Sequence, residues 1–374
     1  MLKDFRTFVA ESAVPLDRVD GGLFGDARIV AVGESSHWVG EYYAVRQRLT
    51  RVLVEQCGFE VVAMESGFSE GLAVDEWVRG GAGDLDELVE RGFTYRMGLL
   101  PEMRTQLEWM RAANNLRFLG LDVSGSATSN LPALEHVRAR LEDAELPVMD
   151  ELLGLTRRYA SEHGLLAYMA YGKMEQGERD RATALLIDLL TRLEIRRADA
   201  TTRHELRLAV LLDQLLRGNH AARDLGMAET ALTRTDKKTV IGAANSHLQR
   251  VPMQLPGLSV PTLGHHLRDE RFLSIAVTAL KGWTPTRRRD PDAPGGVAVV
   301  NAELPEPRAD SVEAAFAGGD VAQLVDLRPA RGKLSGPACV RVMDSFQDVD
   351  VLTAYDMIVC VPELSPSEWV DADR

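Results

Sequence analysis

Glu34 and His37 stand three residues apart, directly behind the apolar run Arg28–Gly33 (RIVAVG), in the order Gly-Glu-Ser-Ser-His. A carboxylate at that distance can hold an imidazole by hydrogen bonding, and an imidazole so held moves protons near neutral pH. The same arrangement recurs along the chain. Glu65 follows Glu60–Met64 (EVVAM), Asp122 follows Arg117–Leu121 (RFLGL), and Asn245 and His247 follow Thr239–Ala243 (TVIGA). Each residue alone has an ordinary explanation, since an acid behind a strand often caps the next helix and a lone histidine is usually structural. Four strand ends that each deliver an ionisable or polar group are together what an active site requires. Arg46 reads either as a helix-surface cation or as a partner reaching back to the carboxylates, and Glu41, His265 and His266 are further candidates for substrate contact.

The elements that must carry these groups read as strands because they are short, apolar or β-branched, free of internal proline, and end abruptly in polar or small residues. Between the first two lies YYAVRQRLTRVLVEQCG, whose Tyr43, Val45, Leu49, Val52 and Leu53 fall mostly on one helical face before Gly58 closes it. That is a β-α-β unit. Strands alternating with helices predict an α/β fold, with a mainly parallel central sheet, helices on both faces and a ligand crevice at the carboxyl ends of the strands. Between residues 131 and 236 the strand signal gives way to a Leu/Ala/Arg-rich helical pattern, expected to be an insertion or lid within one α/β domain spanning 1–374. Beyond it, RFLSIAVTAL, GGVAVVN, AQLVDL and YDMIVCV are strand-like. Asp310–Ala317 is expected as a short helix, and the Pro/Gly/Arg-rich Gly282–Gly296 as an exposed loop.

At 374 residues, 45% of them hydrophobic and 26% charged, the composition is that of an ordinary globular protein. A net charge of -13 repels phosphate backbones and anionic membrane surfaces, so the sequence points away from nucleic acid and membranes. It points towards a neutral or cationic small molecule as partner. The amino terminus has charges scattered among its apolar residues rather than a signal-peptide core, so a cytoplasmic location is expected. Cys57, Cys339 and Cys360 are widely spaced and read as small core residues. Oligomeric state is not legible.

GESSH, the downstream Glu65-Ser66 and the NSH behind the fourth strand resemble the erythromycin esterase family. The opening block VAVGESSHWVGEYYAVRQRLTRVLVEQCGFEVVAMES looks like that family's GE-T/S-H…E…R…GF…E pattern, and Arg223–Glu229 (RDLGMAE) is similar to its RDxxMAE helix. LGHHLRDERFLSIAV and YDMIVCVPELSP look like later blocks, so the likeness spans about residues 28 to 365. The resemblance implies a hydrolase without metal or other cofactor that opens a macrolactone. His37 would be the general base on water, supported by Glu34, Glu65 and Arg46, with His247 as the second histidine. Where the family usually reads His-Asn-x-His, this chain reads Ala244-Asn245-Ser246-His247. The departure leaves open a different, polyketide-like ester, or a ring closure or transfer at the same site.

Three other readings compete. Gly67-Phe68-Ser69-Glu70-Gly71 matches the G-x-S-x-G nucleophile elbow, although Glu65 and Ser66 separate it from the apolar strand and no HGGG-type loop precedes it. His37, His247, Glu34 and Glu65 are residue types that suit a zinc or iron ion. A protein that binds its ligand without turning it over is the third, carried by Ala244 alone.

Overall fold

The computed structural model describes residues 2–372 apart from Glu162, Thr235 and Ala317. Its strands in chain order are β1 (Val14–Pro15), β2 (Ile29–Val32), β3 (Val61–Gly67), β4 (Arg117–Asp122), β5 (Thr239–Gly242), β6 (Met253–Leu255), β7 (Leu258–Val260), β8 (Phe272–Arg289), β9 (Val297–Glu303), β10 (Gln323–Asp326), β11 (Cys339–Val342), β12 (Ser345–Asp348) and β13 (Met357–Leu364). The main sheet runs β1-β10-β13-β8-β2-β5-β3-β4. Pairing is parallel from β13 through to β4 and antiparallel only at the β1 and β10 edge and where β9 folds back on β8. The four motif-bearing strands are therefore neighbours, in the order β2-β5-β3-β4, with their carboxyl ends on one edge.

The pleat sorts the apolar runs onto two faces, which is why these strands look continuously hydrophobic rather than alternating. Ile29 and Ala31 of β2, with Val61, Ala63, Leu119 and Ile241, pack beneath the helices Ala200–Leu216 and Ala222–Leu232. Val30 and Val32 instead meet Val45, Leu49 and Val52 of the helix Gly40–Cys57. That helix ends as its sequence predicts: Gly58 takes the left-handed conformation at φ +71° and donates its N–H to the Leu53 carbonyl.

From Leu131 to Leu232 the described residues form six helices and no strand. They have a core of their own around Leu134, Leu152, Leu185, Leu189 and Leu206. The helix Ala200–Leu216 belongs to both cores, with Leu208, Leu211 and Leu212 on the sheet side and Leu206, Ala209 and Val210 on the other. Its apolar residues therefore fall on two sides rather than one, because both are covered.

Several boundaries differ from the sequence expectation. β3 does not stop at Met64 but continues through Glu65 and Ser66 to Gly67, with a register irregularity against β4. Polar residues hid that extension, because their side chains are satisfied by tertiary partners. Half of the expected loop Gly282–Gly296 is strand. β8 reaches Arg289, and Trp283–Arg289 pair antiparallel with Val297–Glu303 despite Pro285 and three arginines. Within Asp310–Ala317 only a single 3₁₀ turn forms, at Glu313–Ala315, and Ala317 lies outside the described residues. Cys339 and Cys360 are buried, whereas Cys57 is only partly so.

Candidate active site

Two ionic clusters meet at the carboxyl ends of β2, β5, β3 and β4. The first is built on the turn after β2. The Glu34 carboxylate accepts a 2.6 Å hydrogen bond from His37 Nδ1 at one oxygen and a 3.2 Å bond from Arg46 Nη1 at the other. Glu34 and Arg46 are each 2% exposed, while His37 retains 19% of its side-chain surface. With Nδ1 committed, Nε2 is the ring nitrogen without a hydrogen-bond partner among the described residues.

Close approach forces two glycines here. A Cβ on Gly33 would lie 2.0 Å from Asn245 Oδ1, and one on Gly242 would lie 2.6 Å from Arg46 Cδ. Only a bare backbone lets the guanidinium lie across β5, where it also covers the Tyr43 ring at 4.1 Å. Arg46 is therefore a buried partner of Glu34 and not a surface cation.

The second cluster joins three strand ends to one helix. Arg223 donates to both oxygens of the fully buried Asp122 and, through Nη2, to Glu65 Oε1 at 2.9 Å. The other Glu65 oxygen accepts the Ala244 N–H at 2.8 Å. His247 stands between acids, with Nδ1 2.9 Å from Asp224 Oδ1 and Nε2 3.3 Å from Glu65 Oε1. Asp224 in turn accepts the Leu263 N–H, which fixes the helix end at Leu263.

The charges act on one another as this packing requires. Burial pushes the Glu65 carboxyl up, but His247, Arg223 and His37 outweigh it and hold its pKa well below the ordinary range. For His247, burial favours the neutral ring, yet Asp224 and Glu65 together raise its pKa to about 10. Its surroundings thus favour the imidazolium at neutral pH. His37 is likewise opposed by burial, and Glu34 and Glu65 overcome this to leave its pKa above 6.5.

Two predictions arise from these shifts. The Glu34 carboxylate favours the imidazolium, so Glu34→Gln should move the acid limb of the pH profile of kcat/KM to lower pH as it lowers the rate; a limb that stays in place would separate His37 from catalysis. The stability contributed by His247 is fully present below its unfolded pKa of about 6.5 and is lost as pH rises through about 10. Melting temperature should therefore fall more steeply above neutrality in the wild type than in His247→Gln, measured across that window.

A third feature is backbone strain beside His37. Trp38, Tyr95, Arg96, Ser126 and Ala127 are non-glycine residues at φ of +61°, +54°, +55°, +45° and +78°. Such conformations cost roughly 1–3 kcal/mol each and persist where the surroundings over-determine them. Here Trp38 Nε1 donates to the Tyr95 carbonyl, Tyr95 Oη donates to the Ser126 carbonyl, and the Tyr95 ring stacks on His37 at 5.9 Å. Trp369 of the C-terminal helix stacks on Trp38 at 4.4 Å and closes the assembly from outside.

Glu34, His37, Arg46, Glu65, Asp122 and His247 thus belong to the two clusters, with Asp122 spent on Arg223 rather than left open. Asn245 does not face a ligand, because its amide is consumed by the carbonyl and N–H of Val277. Glu41 points away and accepts the Ser365 N–H. His265 lies against the Arg250 carbonyl and Arg268. His266 lies near Asp224, its Nε2 buried without a hydrogen-bond partner among the described residues and its pKa lowered by burial and by His265. Residue-by-residue reading missed Arg223, Asp224 and Tyr95; the first two open the RDLGMAE block. Ser69 lies inside the first turn of the helix Phe68–Val78 and has no histidine partner among the described residues. Nor, among them, do any three His, Cys, Asp or Glu side chains come together as a metal-binding group.

The chain is similar over most of its length to characterised proteins. It is 27% identical over 389 aligned positions to erythromycin esterase type II of Escherichia coli, covering 93% of this chain and 92% of that one. To erythromycin esterase type I of Escherichia coli it is 25% identical over 381, covering 90% of each. Its fold matches that of a histidine-to-asparagine mutant of the erythromycin esterase EreC in an open conformation, with a TM-score of 0.76, 22% identity, and coverage of 99% and 96%. The profile of the family described as erythromycin esterase matches residues 54–364, and the chain belongs to that family.

Proposed function

We propose that this protein hydrolyses a lactone or ester of a macrolide or similar polyketide-like compound, with His37 as general base on water. The observation that carries the reading is the state of His37: Nδ1 is held by a carboxylate that Arg46 clamps from behind, and Nε2 is left to accept a proton in a partly exposed position. In the reaction Nε2 would take a proton from water as its oxygen attacks the ester carbonyl. The ester C–O bond would then break, and the imidazolium would return that proton to the leaving alkoxide. Arg223 suits the developing oxyanion, since its Nε and Nη2 are committed to Asp122 and Glu65 while Nη1 makes no hydrogen bond among the described residues. Family membership supports the reaction class, and the net charge of -13 suits a neutral or cationic substrate.

Ala244 favours a second reading. It stands beside Glu65, whose carboxylate accepts its N–H, where the histidine usual in the family would add another imidazole to the site. Without it, His37 could instead deprotonate a substrate hydroxyl whose internal attack closes a ring. Incubation of wild type and Ala244→His with a panel of macrolides, followed by mass spectrometry, tests the reading. Hydrolysis adds one water. An unchanged mass with a new retention time marks ring closure or isomerisation and overturns the first reading. Slow wild-type opening of erythromycin-type lactones, improved by Ala244→His, is the expected result.

A further inference from the structure

The stretch Gly67–Gly71 contains an acid that the chemistry above does not use. Glu70 lies in the first turn of the helix Phe68–Val78 and folds back over Gly67 so closely that a Cβ there would stand 2.1 Å from Oε2. Its Oε1 accepts the Gly125 N–H at 2.8 Å, and Oε2 is buried with no hydrogen-bond partner among the described residues. An acid in a first helical turn has a ready electrostatic explanation. That explanation does not account for the cavity that Glu70 lines.

Glu70 lines a cavity of about 440 Å³ whose walls include Phe93, Tyr95, Gly125, Leu131 and Pro132. Tyr95 connects it to the reacting centre, since the same ring stacks on His37. Arg91, on the rim, is paired with Glu87 at 3.1 Å, both side chains being largely exposed. Burial raises the Glu70 pKa to about 7, against the pull of its own backbone N–H and that of Gly125, and Asp122 and Glu205 push it further in the same direction. Glu70 is the acid in the cavity wall, and an incoming anion would be set against it. A purely apolar group would leave the carboxylate without a counter-ion.

We propose that this cavity is a subsite for a protonated amine carried by the substrate, with Glu70 as its counter-ion and Phe93 and Tyr95 as aromatic walls. Carboxylate plus aromatic surface is the combination that recognises alkylammonium groups, by charge and by the ring quadrupole. The inference rests on the hydrolase reading for the identity of the larger ligand, but binding of the amine does not depend on turnover.

The test is a titration of the full chain with trimethylammonium chloride, with tert-butanol as a neutral probe of the same shape, followed at the Gly125 amide by NMR. The ammonium should give a saturable shift and bind at least about tenfold more tightly than the alcohol, since two binding free energies about 1.4 kcal/mol apart differ by that factor. Glu70→Gln, which keeps the shape and an acceptor for Gly125, should abolish the preference. Equal response to both probes in the wild type, no saturable response to the ammonium, or undiminished ammonium binding by a folded Glu70→Gln protein would each overturn the proposal. The wild-type comparison stands whether or not the variant folds. A protein that discriminates the two probes yet leaves every lactone intact would keep the subsite and refute the hydrolase.

Discussion

His37→Ala should lower kcat/KM by about 10²–10⁴-fold, the range expected when a positioned general base is lost. Of the two histidines at the centre it alone has a nitrogen left for substrate or water, because both His247 nitrogens face carboxylates. Folding should survive the change. His37 belongs to no hydrophobic cluster, and Glu34 keeps its bond to Arg46, although losing Nδ1 leaves Glu34 Oε1 without its donor. An unsatisfied buried acceptor costs about 1–3 kcal/mol, so a moderate fall in melting temperature should accompany the loss of activity. Retention of more than about a tenth of wild-type kcat/KM would remove His37 from the role of base.

Arg223→Met should have the largest effect on stability. It removes the cation that neutralises Asp122, which is fully buried, and one of the two that face Glu65. Breaking a buried ion pair from one side typically costs about 3–5 kcal/mol, because the remaining charge stays desolvated. Activity should fall with it, since Glu65 and the oxyanion donor are both disturbed. The pH dependence gives an internal check. Glu65 has a folded-state pKa held well below the ordinary value, so its contribution is present above about pH 4.3 and is lost as pH falls further. Denaturant titrations should therefore show a large wild-type advantage at neutral pH that narrows in acid. Equal stability at neutral pH would contradict the account of the Arg223 cluster.

The parts of this molecule legible in the sequence are those governed by local pattern. Buried parallel strands read as apolar runs, and the groups at their carboxyl ends, Glu34, His37, Glu65 and His247, are brought together because those strands are adjacent. Tertiary partnership is not local, and the misreadings concentrate there. Asn245 looks like a ligand-facing polar residue but is used up by the backbone of Val277, 32 positions away. Glu41 is tied to Ser365, which a sequence reading cannot place beside it. Tyr95 was missed because it sits in a left-handed turn with no periodic signal. Arg223 and Asp224 begin a helix whose sequence signature was visible, but their roles depend on Asp122, Glu65 and His247 from three other segments.

His247 shows how strongly environment acts on a residue type. A lone histidine behind a strand reads as structural, and the resemblance makes it the second histidine of the site. Between Asp224 and Glu65 its pKa is raised to about 10, which favours the imidazolium, and that charge in turn helps to hold the Glu65 pKa down. Loss of a second imidazole at Ala244 therefore leaves His37 as the proton carrier of the proposed reaction.

The most direct test of that reaction is the mass of the product formed from a macrolide lactone in oxygen-18 water. The account predicts a ring-opened acid heavier by one water and carrying one heavy oxygen, formed by the wild-type protein and at most at a hundredth of that rate by His37→Ala. A product of unchanged mass, or one without the label, would contradict it.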